Sequence, residues 1–80
     1  MKIRLMGSQG NLTSASNVDF ATCVRVYNSG ASDLVLTEKD GSTVVGTCTI
    51  KTKTAEVIVK DPAHTLEGGA ALLAVKIAHT

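Results

Sequence analysis

Aromatic side chains are almost missing from this chain of 80 residues, which has one phenylalanine, Phe20, one tyrosine, Tyr27, and no tryptophan. A surface that stacks nucleobases on aromatic platforms within a basic groove has little to be built from. An excess of one charge is missing too. Eight Lys and Arg stand against seven Asp and Glu, a net of +1, and their scatter defines no nucleic-acid or membrane partner. The longest apolar run, Ala70 to Val75, is too short to span a bilayer. No apolar stretch of signal-peptide length follows Lys2 and Arg4, so the chain is expected to be soluble and made in a cytoplasm.

Recognised site chemistry is equally scarce. His64 and His79 lie fifteen positions apart with no Cys, Asp or Glu at ligand spacing, so each reads as a surface histidine rather than half of a metal or acid-base pair. There is no Gly-x-Ser-x-Gly nucleophile motif, and the Gly7/Gly10 stretch lacks the lysine and hydroxyl of a phosphate loop. The expectation is a non-enzyme without cofactor or metal. Two cysteines do not make a disulfide framework. Strand alternation sets Cys23 beside Arg25 and Tyr27, and Cys48 on the inward face of a hairpin. Both are expected as thiols, Cys23 open to reagents and Cys48 reached only on unfolding.

What the chain does have is strand-and-turn grammar. Leu34 to Ile50 reads as a β-hairpin about Asp40-Gly41. A three-residue loop, Lys39-Asp40-Gly41, sets Leu36 opposite Val44 and Leu34 opposite Gly46. It separates an inward face (Leu34, Leu36, Val44, Gly46, Cys48, Ile50) from a threonine-rich outward one. Glycine at position 41 suits a left-handed turn residue. Further strands are predicted at Lys2 to Met6, at Phe20 to Tyr27 with Phe20, Val24 and Val26 on one side, and at Thr54 to Lys60 with Ala55, Val57 and Val59 on the preferred face. The tail from Ala70 to Thr80 is read as a strand because Gly68-Gly69 and the β-branched Val75 and Ile77 disfavour a helix. Asp61-Pro62 with Gly68 beyond suggests one short helical turn near Pro62.

The fold class expected is all-β, a small antiparallel sandwich or barrel of about six strands in a single domain over residues 1–80. Residues 7–19, dense in Gly, Ser and Asn, are expected as a long irregular loop. Such a loop is the best candidate surface for a partner, with Gln9, Asn11, Leu12, Asn17 and Phe20 as the contacts. Lys51 and Lys53 read as guards of a sheet edge.

Four stretches carry a resemblance: Val24-Arg25-Val26-Tyr27-Asn28-Ser29-Gly30, Asp40-Gly41-Ser42-Thr43-Val44-Val45-Gly46-Thr47, Glu56-Val57-Ile58-Val59-Lys60-Asp61-Pro62 and Thr65-Leu66-Glu67. From Val24 onward the chain resembles small all-β virion structural proteins of tailed bacteriophages. The resemblance implies a subunit of the virion, a capsid decoration or cement protein that binds the major capsid protein and stabilises the shell in many copies. A neck, collar or tail component is the alternative within that class. From other classes the rivals are a small nucleic-acid or ligand-binding barrel and an extracellular adhesion module, the latter weakened by the missing secretion signal.

Overall fold

The structure is a computed structural model and describes residues 3–79, the last by its backbone alone. Met1, Lys2 and Thr80 therefore lie outside the described residues, as does the side chain of His79 with the pairing weighed for it. Eight strands follow in order: β1 Ile3–Leu5, β2 Gly10–Leu12, β3 Cys23–Asn28, β4 Leu34–Asp40, β5 Thr43–Ile50, β6 Ala55–Val59, β7 Thr65–Glu67 and β8 Gly69–His79. The fold is all-β, and every strand pairing is antiparallel.

The long β8 organises the larger sheet. One of its edges pairs with β3, and the other with β1 and β2 in succession, while β6 lies outside β3. Its residues face both ways into apolar surroundings: Leu72 and Ala74 join the central core, and Val75 and Ile77 are buried on the opposite face. A strand buried on both faces reads as a continuous apolar run. This is why Ala70 to Val75 showed no clean alternation.

The smaller sheet has the order β5-β4-β7. Between the sheets lie Leu12, Ala21, Val24, Val26, Leu36, Ile50, Leu66, Leu72 and Ala74, with Ile58 and Leu34 packed against them. Fully burying a side chain of the Leu or Val type stabilises by about 1.5–3 kcal/mol, so this cluster is what holds the two sheets together. Strand β3 shows the pattern at its simplest, with Val24, Val26 and Asn28 buried and Cys23, Arg25 and Tyr27 half-buried on the other face.

Beyond the two strands, β2 and β7, that raise the count from the expected six to eight, four features depart from the sequence reading. The hairpin turns through the two-residue loop Gly41-Ser42 in place of Lys39-Asp40-Gly41, and Leu36 lies opposite Cys48, not Val44. Positive φ at Gly41 (63°) with none at Ser42 suits a two-residue loop with glycine first. A bulge between Glu38 and Lys39 leaves Val45 as the extra residue of β5. Because the displacement, from Val44 to Cys48, is an even number of residues, the assignment of faces survives except at Val44. Near Pro62 there is a β-turn in place of a helical turn: the His64 amide donates to the Asp61 carbonyl at 3.0 Å, and the chain enters β7 at Thr65. A lone helical turn has no propagation to offset its nucleation cost, whereas Thr65–Glu67 gains a ladder with β4.

The third departure is in β6, where Ile58 faces the core and Val57 and Val59 face outward. Alternation alone offered either face, and pairing decided it, since Ile58 lies opposite the buried Val24. The fourth is the segment 7–19. It contains β2, and it returns to the smaller sheet through Ser16, whose amide and carbonyl exchange hydrogen bonds with Leu66 at 3.0 and 2.8 Å. Phe20, expected within a strand, lies in a turn before β3.

Strand pairing thus runs β6-β3-β8-β2, crosses at Ser16, and continues β7-β4-β5. The Gly68 amide adds a bond to the Leu12 carbonyl at 3.1 Å on the same side. On the far side, β5 and β6 each have one partner strand, and no ladder joins them.

Candidate interaction surface

The segment before β3 is built around an uncommon backbone. Val18, Asp19 and Phe20 follow one another at φ 52°, 57° and 55°, the left-handed region that costs a side chain with a Cβ roughly 1–2 kcal/mol per residue. Local hydrogen bonds offset part of that cost. The Ala21 amide reaches the carbonyls of Asn17 and Val18, both at 3.2 Å, and the Asn17 side-chain oxygen accepts from the Phe20 amide at 3.3 Å. The Ser16 hydroxyl accepts from the Val18 amide at 3.1 Å, and the Lys76 amine donates to the Asp19 carbonyl at 3.2 Å. Ala21 is fully buried directly after the turn while Phe20 is 65% exposed. Strain of this kind concentrates where a side chain must be held in a fixed position. Here the side chain is the chain's one phenylalanine.

Other apolar groups lie close in the bonding network. The Met6 amide donates to the carbonyl of Lys76 at 2.8 Å, the residue whose amine holds Asp19. Met6 and the adjacent Leu5 are both exposed. Beside them Ser8, Gly10, Asn11, Leu12, Ser16, Val18, Asp19 and Ala74 line a mostly polar hollow of about 120 Å³.

The five residues named from the sequence divide accordingly. Gln9 and Asn11 are exposed, Asn11 spending its side-chain oxygen on the Thr13 amide at 3.3 Å. Asn17 is half-buried and works as the turn's acceptor. Phe20 projects. Leu12 does not belong with them: at 1% exposure it is core, because β2 turns it inward against Leu66 and Leu72. The sequence signal for that was a lone leucine in a polar run, which a half-buried strand also produces.

On the other side of the molecule Leu36, Glu38, Gly46, Thr47, Cys48, Ile58 and Leu66 line an apolar cleft of about 190 Å³ between β5 and β6. Its β5 wall is exposed along its length up to Ile50, Cys48 included. The expected order of thiol reactivity is therefore reversed: Cys48 stands open and Cys23 is half-buried. Inward-pointing residues are buried only where an opposing sheet covers them, and β5 projects beyond that cover.

At the hairpin end of the cleft the His64 ring Nδ1 lies 2.7 Å from a Glu38 carboxylate oxygen, and Nε2 lies 3.8 Å from Asp40. The hydrogen bond to Glu38 raises the His64 pKa above its ordinary 6.5, burial opposing and the charges of Asp40 and Asp61 assisting. Lys60, only 6% exposed, donates to the carbonyls of Asp61, Pro62 and His64 at 3.3, 3.5 and 3.0 Å. Burial lowers its pKa, with Glu38 and Asp61 pulling the other way. At the opposite end Asn28, fully buried, donates to the carbonyls of Ser32 and Ile50, both at 2.9 Å, and accepts from the Gly30 amide at 2.9 Å. Sequence reading ended the strand at Tyr27, leaving Asn28 outside it, and took His64 for a surface residue. Neither partner, Ile50 or Glu38, is near in sequence.

Among the described residues no three His, Cys, Asp or Glu side chains gather as a metal site would need. Comparison with protein-family models, with curated proteins and with solved structures finds no match to this chain.

Proposed function

We propose that the chain is a structural subunit of a tailed-bacteriophage virion, a capsid decoration protein that binds the major capsid protein and stabilises the shell. On this reading it is synthesised in the host cytoplasm, acts in many copies without catalysis or cofactor, and its two sheets form a small sandwich. The observation that carries the proposal is Phe20, 65% exposed on a turn of three left-handed residues. Rigidly presented aromatic and apolar anchors supply most of the energy at protein interfaces, and a fixed turn avoids the ordering cost that a mobile loop would carry on binding. The likeness of strands and turns from Val24 to Glu67 to phage virion proteins names the setting.

The test is to quantify the protein in purified virions and measure rebinding to stripped capsids. Phe20→Ala is the informative variant, because an exposed side chain is removed without touching the core. Deleting residues 7–17 would extract Leu12 from the core and confound binding with unfolding. Phe20→Ala is expected to weaken rebinding by about 1–4 kcal/mol with an unchanged melting temperature. Absence of the protein from virions would overturn the proposal.

A further inference from the structure

Strand β5 is the outermost strand of the smaller sheet, and among the described residues no strand pairs with its second edge. Edges of this kind are normally guarded by charge, proline or a covering loop. From Ser42 to Ile50 the sequence carries no charged residue and no proline, and Thr43 to Thr49 are all exposed. The other terminal strands contrast with it. Strand β1 is three residues long with Arg4 at its centre, and strand β6 contains Glu56, is flanked by Lys51, Lys53 and Lys60, and is entered through Lys53 at φ 60°.

We infer that β5 is a self-recognition edge, pairing antiparallel with β5 of a second copy to make one continuous sheet across a two-fold axis. The choice of a second copy follows from charge. A two-fold axis lays the strand against its own copy, so a charge at the axis would meet its like and charges of one sign along the strand would repel; β5 has none. Reach agrees with this. Gly46 and Cys48 belong to the inward face yet are exposed, and a Cβ built at Gly46 meets nothing within 4 Å, so β6 does not cover this part of the strand. Register follows from the bulge. Val45 interrupts the regular strand on one side, and β5 ends at Ile50 on the other. The uninterrupted stretch is therefore Gly46 to Ile50, whose midpoint is Cys48. Antiparallel pairing about that midpoint sets Cys48 opposite its counterpart and Thr47 opposite Thr49, all three exposed, while the buried Ile50 marks the end of the seam. Opposed Cα atoms in such a pair lie about 4.5–5.5 Å apart. The assembly closes at two copies, because each chain has one such charge-free edge and the β1 and β6 edges both carry charge.

The inference stands apart from the virion reading and needs only the purified full-length chain. Light scattering over a concentration series should show a monomer passing into a dimer. A short bis-maleimide should trap that dimer in wild type and in Cys23→Ser, and trap none in Cys48→Ser, which should nevertheless dimerise normally by light scattering. Cys48→Lys, at an exposed position, should retain the monomer's melting temperature and lose the dimer, because two ammonium groups would meet on the axis. A monomer at every soluble concentration would overturn the inference, as would a dimer undisturbed by Cys48→Lys, a Cys23-to-Cys48 cross-link or an open-ended series of oligomers.

Discussion

The two sides on which the sheets adjoin are built from the same residue types and behave oppositely. On one, the chain from β2 crosses to β7, and Ser16, Leu66, Leu12 and Gly68 share backbone hydrogen bonds over a core leucine. On the other, β5 and β6 end side by side with an apolar cleft between them and polar contacts only at its ends, Asn28 to Ile50 at one and His64 to Glu38 at the other. The difference lies in how each segment is covered. Three residues of β2 close a side because Leu12 is buried and its neighbours are bonded on both flanks, whereas eight residues of β5 leave a side open because they outrun the sheet opposite.

This contrast can be attacked by substitution, beginning where the effect is greatest. Leu12→Ala empties a fully enclosed site and should cost about 2–5 kcal/mol in denaturant unfolding, whereas Val45→Ala, on the open strand, should stay within about 0.5 kcal/mol. Similar losses at the two positions would mean that the sides are not distinct. Next come the glycines. A Cβ at Gly68 would collide with the Leu72 side chain and lie 2.7 Å from the Val35 carbonyl oxygen, while one at Gly46 meets open space. Gly68→Ala should therefore lower stability by about 1–3 kcal/mol. Gly46→Ala should raise it by about 0.4–1 kcal/mol, since φ there is not positive and the unfolded chain loses freedom. Equal signs for the pair would contradict the cover assigned to each.

The smallest effect concerns pH at the mouth of the cleft. Because His64 has a raised pKa when folded, the protonated ring bonded to Glu38 contributes stability that is fully present below the ordinary histidine value of 6.5 and is lost as pH rises through the folded value. The melting temperature of wild type should accordingly fall across that upper window more than that of His64→Gln, with Asp40, Asp61 and Lys60 unchanged beside it. Parallel pH profiles would remove the His64 latch from the description of the open side.

How much of this was legible beforehand depended on range. Strand content, the faces of β3 and the strand nature of the tail came from local alternation and β-branching, and these are local properties. The hairpin register came out displaced because its turn and bulge differ by single residues that both satisfy the apolar pattern. The face of β6 was read the wrong way round, because three apolar residues on one face outweighed Ile58 on the other until pairing with β3 set Ile58 against Val24. Phe20 could be named as a candidate contact because it is a lone aromatic next to a polar run, and the structure leaves it exposed. Leu12 could not be told from it, since only the bonds made by Ser16 and Gly68 to distant strands draw that stretch into the core. The charge-free run of β5 was visible as letters, but its meaning required knowing which strands have one neighbour.

The most direct test of the contrast between the two sides is native-state amide hydrogen exchange at a concentration low enough to keep the chain monomeric. The amides of Ser16, Leu66 and Gly68 should exchange only through large-scale unfolding, and the β5 amides facing away from β4 should exchange at nearly the rate of an open chain. Protection of the β5 edge equal to that of Leu66 in the dilute monomer, or rapid exchange at Ser16 and Leu66, would contradict the assignment of one closed and one open side.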